Sequence, residues 1–539
     1  MNFHGNTPPG TAPAGMNRDN AIKRLHQRQS PWDILIIGGG ATGVGIAMDA
    51  ASRGLDVLLL EQADFGKGTS SRSTKLVHGG VRYLEQGNIT LVRDALRERS
   101  LLRANAPHLV HDMPFLIPCK NRWERFFYGV GLKVYDFLAA GNNFGRSHGV
   151  SNKETLTHIP VLKSTASKGG VIYHDGQFDD TRLLINMATT ATDHGACLIN
   201  YASVDALTKD SLGDLDGVIA KDHESGEQWT IRAKCIVNAA GPFCDSVRAL
   251  DDAADEKMLS TSQGVHIVLP RHFFPGDTAM IVPKTSDGRV IFIIPWHDHA
   301  VIGTTDTPIE TPTLEPTAKA EEIQFLLDTT AEYLADAPTH DDILSVFVGI
   351  RPLVKGDKSA RTASLSRDHT IRVSTSGLVT ITGGKWTTVR KMAEDCVDRV
   401  VREKYLSAKP CITQSMHLHG FIESSSVGSD SRSYYGSDLE SIVKLENESP
   451  DLGKLLHTSL TIRGSDVVWA VRHEMARTIE DVLARRTRSL FLNAQAALDI
   501  AYEVAQLMAT ELNRDQAWID EQLGDFRSVA QNYLPKKSQ

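Results

Sequence analysis

The chain has 539 residues, 41% hydrophobic and 23% charged, the make-up of a soluble globular protein with room for two or three domains. A formal net charge of −8 excludes a global basic field that would recruit nucleic acid or an anionic membrane. No run approaches the roughly 18 apolar residues of a membrane-spanning helix. The first residues carry Pro8, Pro9 and Pro13 with scattered glycines and no signal-peptide core, so 1–30 reads as a disordered tail. Within it, Ala21 to Arg28 is a short basic segment with Ile22 and Leu25. It is better read as a solvated helix start than as a patch for an acidic surface.

Asp33 to Glu61 is the densest signal. The apolar, β-branched run Ile34 to Ile37 predicts a buried strand. It ends in a G-x-G-x-x-G turn made by Gly38, Gly40 and Gly43. Ile46, Ala47, Ala50 and Ala51 recur at helical spacing, Gly54 ends the helix, and Val57 to Leu60 predict a second strand ending at Glu61. This is a complete dinucleotide-binding unit. Gly38 permits the tight turn, Gly40 lets the backbone approach a pyrophosphate, and Gly43 lets the helix pack closely on the strand. The helix N-terminus offers N–H groups and a positive dipole end to phosphates. Glu61 is placed to accept hydrogen bonds from a ribose diol. That disfavours a ribose 2′-phosphate and leaves NAD or FAD.

Gly66 to Glu85 is rich in Gly, Ser and Arg without periodicity and reads as a loop lying against the cofactor. Leu91 to Leu102 predicts an amphipathic helix. Residues 171–310 alternate strand-like runs with turns, which predicts a large mixed or antiparallel sheet. Ile236 to Pro242 is a further strand–glycine junction, and Leu378 to Thr388 runs from an apolar strand through Gly383 and Gly384 into a helix. Two such turns far apart imply a discontinuous cofactor domain. The expected organisation is α/β: a Rossmann-like dinucleotide-binding domain interleaved over 31–415 with a substrate-binding β-sheet domain, the substrate part lying mainly at about 110–190 and 255–350. A Ser/Gly-rich linker follows at 416–437, then a helical domain at 438–530 and a short tail at 531–539. Val467, Val471, Met475 and Val482 fall roughly on one helical face. Cys119, Cys197, Cys235, Cys244, Cys396 and Cys411 form no C-x-x-C pair and read as reduced thiols. His473-Glu474 lacks the second His of a zinc-protease motif, and no metal site is expected.

In combination, I-I-G-G-G-A-T-G-V-G, T-S-S-R-S-T-K-L-V-H-G-G-V-R-Y-L-E, D-D-T-R-L, G-V-H-I-V-L-P, I-G-T-T-D, G-I-R-P-L, S-R-D-H and G-G-K-W-T-T-V-R-K are narrow. Over roughly 32–530 the chain resembles the FAD-dependent glycerol-3-phosphate dehydrogenases, quinone-linked respiratory enzymes of the wider glycine oxidase and D-amino-acid oxidase type. The resemblance implies FAD rather than NAD and a helical C-terminal cap. It implies oxidation of sn-glycerol 3-phosphate to dihydroxyacetone phosphate, with electrons passing to ubiquinone or menaquinone. It also implies a homodimer held peripherally on the inner face of the cytoplasmic membrane. Mitochondrial relatives carry calcium-binding EF-hands. No D-x-[DN]-x-[DN]-G loop occurs here, so calcium control is not expected.

A small dianionic alcohol needs several cations converging in one cleft. By the resemblance, Arg82 and Tyr83 line the substrate pocket, Arg351 and Arg367 contact the phosphate or the reacting hydroxyl, and Lys385 lies near the flavin ring. His266 matches the position of the base, for which histidine is the natural residue type. A hydrogen-bonded core histidine is the competing reading. His78 is a second candidate, read as a loop or flavin contact. Ser70, Ser71 and Lys75 are assigned to the flavin, with Gly241 and Thr387 as weaker choices. Gly384 and Thr388 open the last helix, whose N–H groups can stabilise the charge of reduced flavin. The aromatic–basic stretch Arg122 to Leu138 reads equally as an interfacial patch or as packing against the core.

A glycerol-3-phosphate oxidase passing electrons to oxygen is the alternative function. The lack of a long insertion between 171 and 350 favours the dehydrogenase. A non-catalytic flavoprotein would not need Arg82, Arg351, Arg367 and Lys385 together with His266. A nicotinamide-dependent dehydrogenase would not explain G-G-K-W-T-T so late in the chain.

Overall fold

The computed structural model describes residues 15–81, 88–139, 141, 144–285, 288–355, 369–428 and 430–535. Among these residues the strands form two sheets. The first has a parallel core in which Val379–Gly383, β3 (Gln228–Asn238), β1 (Trp32–Ile37), β2 (Val57–Leu60) and Cys197–Ile199 lie side by side. His369–Val373 adds an antiparallel edge, and Ala202–Lys209 and Leu215–Asp222 extend antiparallel from β3. Both faces are covered, so β1 reads as continuously apolar rather than alternating. Ile34 and Ile36 enter one core and Leu35 and Ile37 the opposite one. The first core is closed by α1 (Ala41–Ser52), α2 (Asp180–Asp193) and α3 (Val389–Glu403), whose small residues Ala47, Ala50, Ala188 and Ala393 allow close approach.

The second sheet is mixed and mostly antiparallel. Its centre is β4 (Leu259–Pro270), flanked by β5 (His299–Gly303) and β6 (Ser345–Val354). Alternate residues of β4 serve two cores. Val265, Ile267 and Leu269 pack toward the helix Ala320–Tyr333, while Val268 joins Phe347 and the C-terminal helices. The period of two puts Gly264, His266 and Val268 on one face. Register places His266 opposite both Phe347 and Gly303, and Gly264 opposite Gly349, so Arg351 shares that face two residues further along β6.

Three segments differ from the sequence expectations. The reading of a tail ends earlier than residue 30. The Met16 N–H donates to His473 O at 2.8 Å, and the helix Arg18–Gln27 buries Arg18 against Asp222 at 2.5 Å and Asn200 O at 3.1 Å. The expected linker is packed at both ends, with Met416, Leu418, Tyr434 and Tyr435 buried in the core beneath the first sheet. The C-terminal pattern is not one helix. Gly464–His473 stops because Glu474 turns to Arg182 at 2.7 Å, and Met475 takes a left-handed φ of +56°. Asp481 then accepts from the Arg477 and Thr478 N–H groups at 2.7 and 3.0 Å, starting a new turn. The C-terminal helices share their core with the second sheet, where Phe347, Ile294 and Val301 meet Phe491, Val504 and Met508.

Candidate active site

The turn after β1 is shaped by glycine at two points. Gly38 has a φ of +111°, and a Cβ on Gly43 would lie 1.9 Å from Gly38 O. α1 therefore starts directly against the strand end, with Gly40 as its N-cap and its first residues lining a cavity of about 550 Å³. The cavity is lined by Gly38, Gly40, Glu61, Ser70, Gly241 and Trp386, among others. Glu61 follows β2 and accepts from Gly39 N–H at 2.5 Å and Ala63 N–H at 2.9 Å. Burial in the wall raises its carboxyl above the usual range against the pull of those two donors. Ser70 ties the next loop down: its Oγ accepts from Ala41 N–H at 2.9 Å, and its carbonyl accepts from Trp386 Nε1–H at 2.9 Å.

A second cavity of about 250 Å³ lies on the face of the second sheet that carries Gly264, His266, Gly349 and Arg351. Thr69, Ser73, Lys385 and Trp386 belong to the walls of both cavities, so the two adjoin. Gly349 is needed here because a Cβ would come within 2.6 Å of Arg72 O, where the loop crosses the sheet. Arg351 is oriented by neighbours: Nη1 donates to Asp306 Oδ1 at 3.1 Å, and Nη2 donates to Thr304 Oγ1 at 3.2 Å and Thr305 O at 3.1 Å. His266 Nε2 is 3.0 Å from Thr74 Oγ1, and its ring stacks on Phe347 at 4.7 Å. Burial first, then Arg351 and Lys75, hold this imidazole well below its usual pKa, so it is neutral. At the far wall Gly383 and Gly384 both have positive φ, and a Cβ on Gly384 would strike Met392 Sδ at 2.4 Å. His78 and Thr387 meet there, the Thr387 Oγ1 accepting from His78 N–H at 3.1 Å.

The structure thus brings Gly38, Gly40, Glu61, Ser70, Gly241, Gly384, Lys385, Thr387, Arg351 and His266 to the walls of these two adjoining cavities, with Gly43 packed beneath the larger. It does not bring Lys75 there. Lys75 Nζ is fully buried and donates to Asp180 Oδ1 at 2.9 Å, Asp180 Oδ2 at 2.8 Å and Ser71 O at 2.7 Å. Three donors satisfied by protein leave none for a flavin. Ser71 is buried under the same loop, its hydroxyl 3.5 Å from Gly68 O, and Thr388 bonds back to Lys385 O at 3.3 Å. Arg82, Tyr83 and Arg367 lie outside the described residues. Sequence reasoning missed Thr74, Ser73 and Trp386, and the Thr304 and Asp306 pair that aims Arg351. The T-T-D string and the loop motif contain them, but only cross-sheet register reveals the contacts.

The larger cavity fits a dinucleotide: the cradle at Gly38 and Gly43 has no room for a side chain, and N–H groups and Glu61 face the space. Residues 33–390 match the family model described as FAD dependent oxidoreductase, and residues 379–519 match the C-terminal domain of alpha-glycerophosphate oxidase. The mitochondrial glycerol-3-phosphate dehydrogenase of Arabidopsis thaliana is 38% identical, over 98% of this chain and 91% of that protein. The chain belongs to the FAD-dependent glycerol-3-phosphate dehydrogenases. The human mitochondrial member is 39% identical over 95% of this chain and 75% of its own length. A solved glycerol-3-phosphate dehydrogenase from Bacillus halodurans, complexed with FAD, is 30% identical with a TM-score of 0.79, covering 97% of this chain and 98% of that one. Glycine oxidase from Geobacillus kaustophilus, at 20% identity and a TM-score of 0.52, shares the fold. As in its family, the cofactor of this dehydrogenase is FAD.

Proposed function

We propose that this chain oxidises sn-glycerol 3-phosphate to dihydroxyacetone phosphate in the smaller cavity and passes the electrons to a membrane quinone. The observation that carries the reading is the meeting of His266, Arg351 and Lys385 in the walls of one small cavity that adjoins the cofactor cavity. FAD, when bound, supplies the hydride acceptor. Arg351, aimed by Asp306 and Thr304, presents a guanidinium suited to a phosphate or alkoxide oxygen. Lys385 adds a second cation at the wall shared with the cofactor. Neutral His266 is able to take up the hydroxyl proton. Arg82, Tyr83 and Arg367 remain assigned to the substrate by the same reading. The start of α3, which follows Gly384 in the chain, would favour negative charge on a bound flavin through its N-terminal dipole end.

Peripheral attachment to the inner face of the cytoplasmic membrane completes the proposal. Among the described residues no helix is long and apolar enough to cross a membrane. The helix Arg122–Leu138 turns Leu132 and Tyr135 inward and leaves Trp123, Phe126 and Phe137 at 72%, 62% and 82% exposure. Arg122, Arg125, Lys133 and His148 flank that apolar face. An amphipathic helix of this kind lies in a lipid interface, where a quinone resides.

The test is an anaerobic titration with sn-glycerol 3-phosphate, followed by flavin absorbance. The expected result is bleaching, with reoxidation faster by a ubiquinone analogue than by air. Fast reoxidation by air would make the enzyme an oxidase. No bleaching of a flavin-loaded protein would remove the substrate assignment.

A further inference from the structure

His266 has one polar route to the cavity. The residue is 2% exposed, with one ring face stacked on Phe347 and the other side pressed on Gly303, where a Cβ would come within 2.3 Å of the ring. Nδ1 is buried and has no hydrogen-bond partner among the described residues. Nε2 has Thr74 Oγ1 at 3.0 Å. Thr74 is half-buried in the wall of the smaller cavity, which the buried His266 also lines, so Thr74 is the more exposed of the pair. The hydroxyl is held in place from both sides. Ser73 N–H and Oγ–H donate to Asp180 Oδ2 at 3.2 and 2.7 Å, and Lys75, at a left-handed φ of +63°, is anchored to the same carboxylate. A threonine hydroxyl donates one proton and accepts another at the same oxygen, which a relay requires.

We propose that Thr74 is a catalytic residue that relays the substrate proton to His266. Resting on the reading that the smaller cavity takes a secondary alcohol, the step is balanced as follows. The alcohol O–H proton passes to Thr74 Oγ1 as the Thr74 O–H proton passes to His266 Nε2. The hydride leaving the same carbon goes to the flavin of the established family chemistry, and the alcohol becomes a ketone. His266 carries its other hydrogen on Nδ1 in this step, a tautomer assigned from the Thr74 contact. The charged groups facing the ring are Arg351 from β6 and Lys75 from the loop. Both oppose a lasting imidazolium and return the proton through Thr74 once the ketone has left.

The experiment compares Thr74→Val, Thr74→Ser, His266→Asn and the Thr74→Val/His266→Asn double variant as FAD-loaded full chains. The readouts are the anaerobic rate of flavin reduction by sn-glycerol 3-phosphate, the affinity for dihydroxyacetone phosphate and the ¹⁵N ring signals of His266. Thr74→Val is expected to slow reduction by about 10²–10³-fold, the range of a lost acid–base group, with product affinity within about twofold. Its His266 ring signals should shift toward the Nε2–H tautomer. Thr74→Ser should stay within about fivefold of wild type, and the double variant should be no slower than His266→Asn, because the two residues act as one unit. If Thr74→Val does not fold, Thr74→Ala takes its place. Reduction of Thr74→Val within about threefold of wild type, or rate losses that multiply in the double variant, would overturn the relay alone. Failure of the alcohol to reduce the wild-type flavin would overturn the function and the relay together.

Discussion

Replacing Lys75 with Met tests whether this lysine supports the loop or the cofactor. Lys75 and Asp180 are both fully buried, and Nζ reaches both carboxylate oxygens at 2.8 and 2.9 Å. The ammonium also sits 4.8 Å from the Trp296 ring and 5.1 Å from those of Phe347 and Phe491. Removing one partner of a buried pair costs about 3–5 kcal/mol, because the other charge stays buried. Here Asp180 keeps Ser73 N–H and Oγ–H and the Thr181 N–H at 2.8 Å, and a methionine fills the aromatic pocket, so the expected loss is near the lower end, about 3 kcal/mol. The Lys75→Met/Asp180→Leu double variant should recover about 1–2 kcal/mol, since no unpaired charge remains, although the Ser73 and Thr181 donors lose their acceptor. The assay is the urea midpoint of the full chain at a fixed excess of FAD, with flavin occupancy measured alongside. A Lys75→Met variant within about 1 kcal/mol of wild type that had lost FAD affinity tenfold would refute this reasoning. It would return Lys75 to the flavin.

Gly43→Ala places a methyl 1.9 Å from Gly38 O, so α1 must move off β1 and the cradle opens. FAD occupancy of the purified protein should fall at least tenfold, and full occupancy by absorbance would contradict the close-packing argument. His419 is nearly buried. Burial alone would lower its pKa, but hydrogen bonds to Asp193 at 2.9 Å and Asp438 at 3.1 Å outweigh burial and raise it to about 10. Because the folded pKa is the higher one, this stabilisation is complete below about pH 6.5 and disappears as pH rises toward about 10. Wild-type stability should therefore fall over that window by up to roughly 4 kcal/mol more than that of His419→Gln, and parallel pH curves would remove the assignment. Charges at Phe126 and Phe127 should release the enzyme from anionic liposomes without changing its melting temperature, and undiminished lipid binding would show that the exposed aromatic face has another use.

The parts legible in the sequence are those whose cause is local. Strand, glycine turn, helix and acid from Ile34 to Glu61 lie within one short segment, and the same holds for the turn at Gly383 and Gly384. The floor of the smaller cavity is different. Alternation along β4 places Gly264 and His266 on one side of the strand, but only the pairing with β6 sets Phe347 against His266 and brings Arg351 onto the same face. Lys75 shows the limit most clearly. Its place in a Gly/Ser-rich loop beside the cofactor suggests a flavin contact, while its acceptor, Asp180, lies 105 residues further on. A sequence motif does not say whether a lysine faces the ligand or the protein. The register of distant elements decides it.

The charges buried at the junction of the sheets and the C-terminal helices explain why a segment remote from both cavities belongs to the site. Asp64, at the start of the cofactor loop, is held by Arg485 and Arg486, which keep its carboxyl well below the usual range although burial raises it. Lys67 bonds Glu480 at 2.6 Å and Glu315 at 2.7 Å, and Arg72 bonds the same Glu315 at 2.9 Å. Phe491 supplies one of the aromatic walls around Lys75, and Arg488 pairs with Asp179, next to Asp180. The anchors of the loop that carries Ser70 and Thr74 thus come from the cofactor domain, from Glu315 and Ile350 on the side of the second sheet, and from 474–491. Isolated ion pairs of this kind add little net stability, since desolvation offsets attraction. Their value lies in geometry, because each has one low-energy arrangement and together they leave the loop one position. The C-terminal segment is thus one of the braces of the loop that carries the Thr74 hydroxyl beside His266.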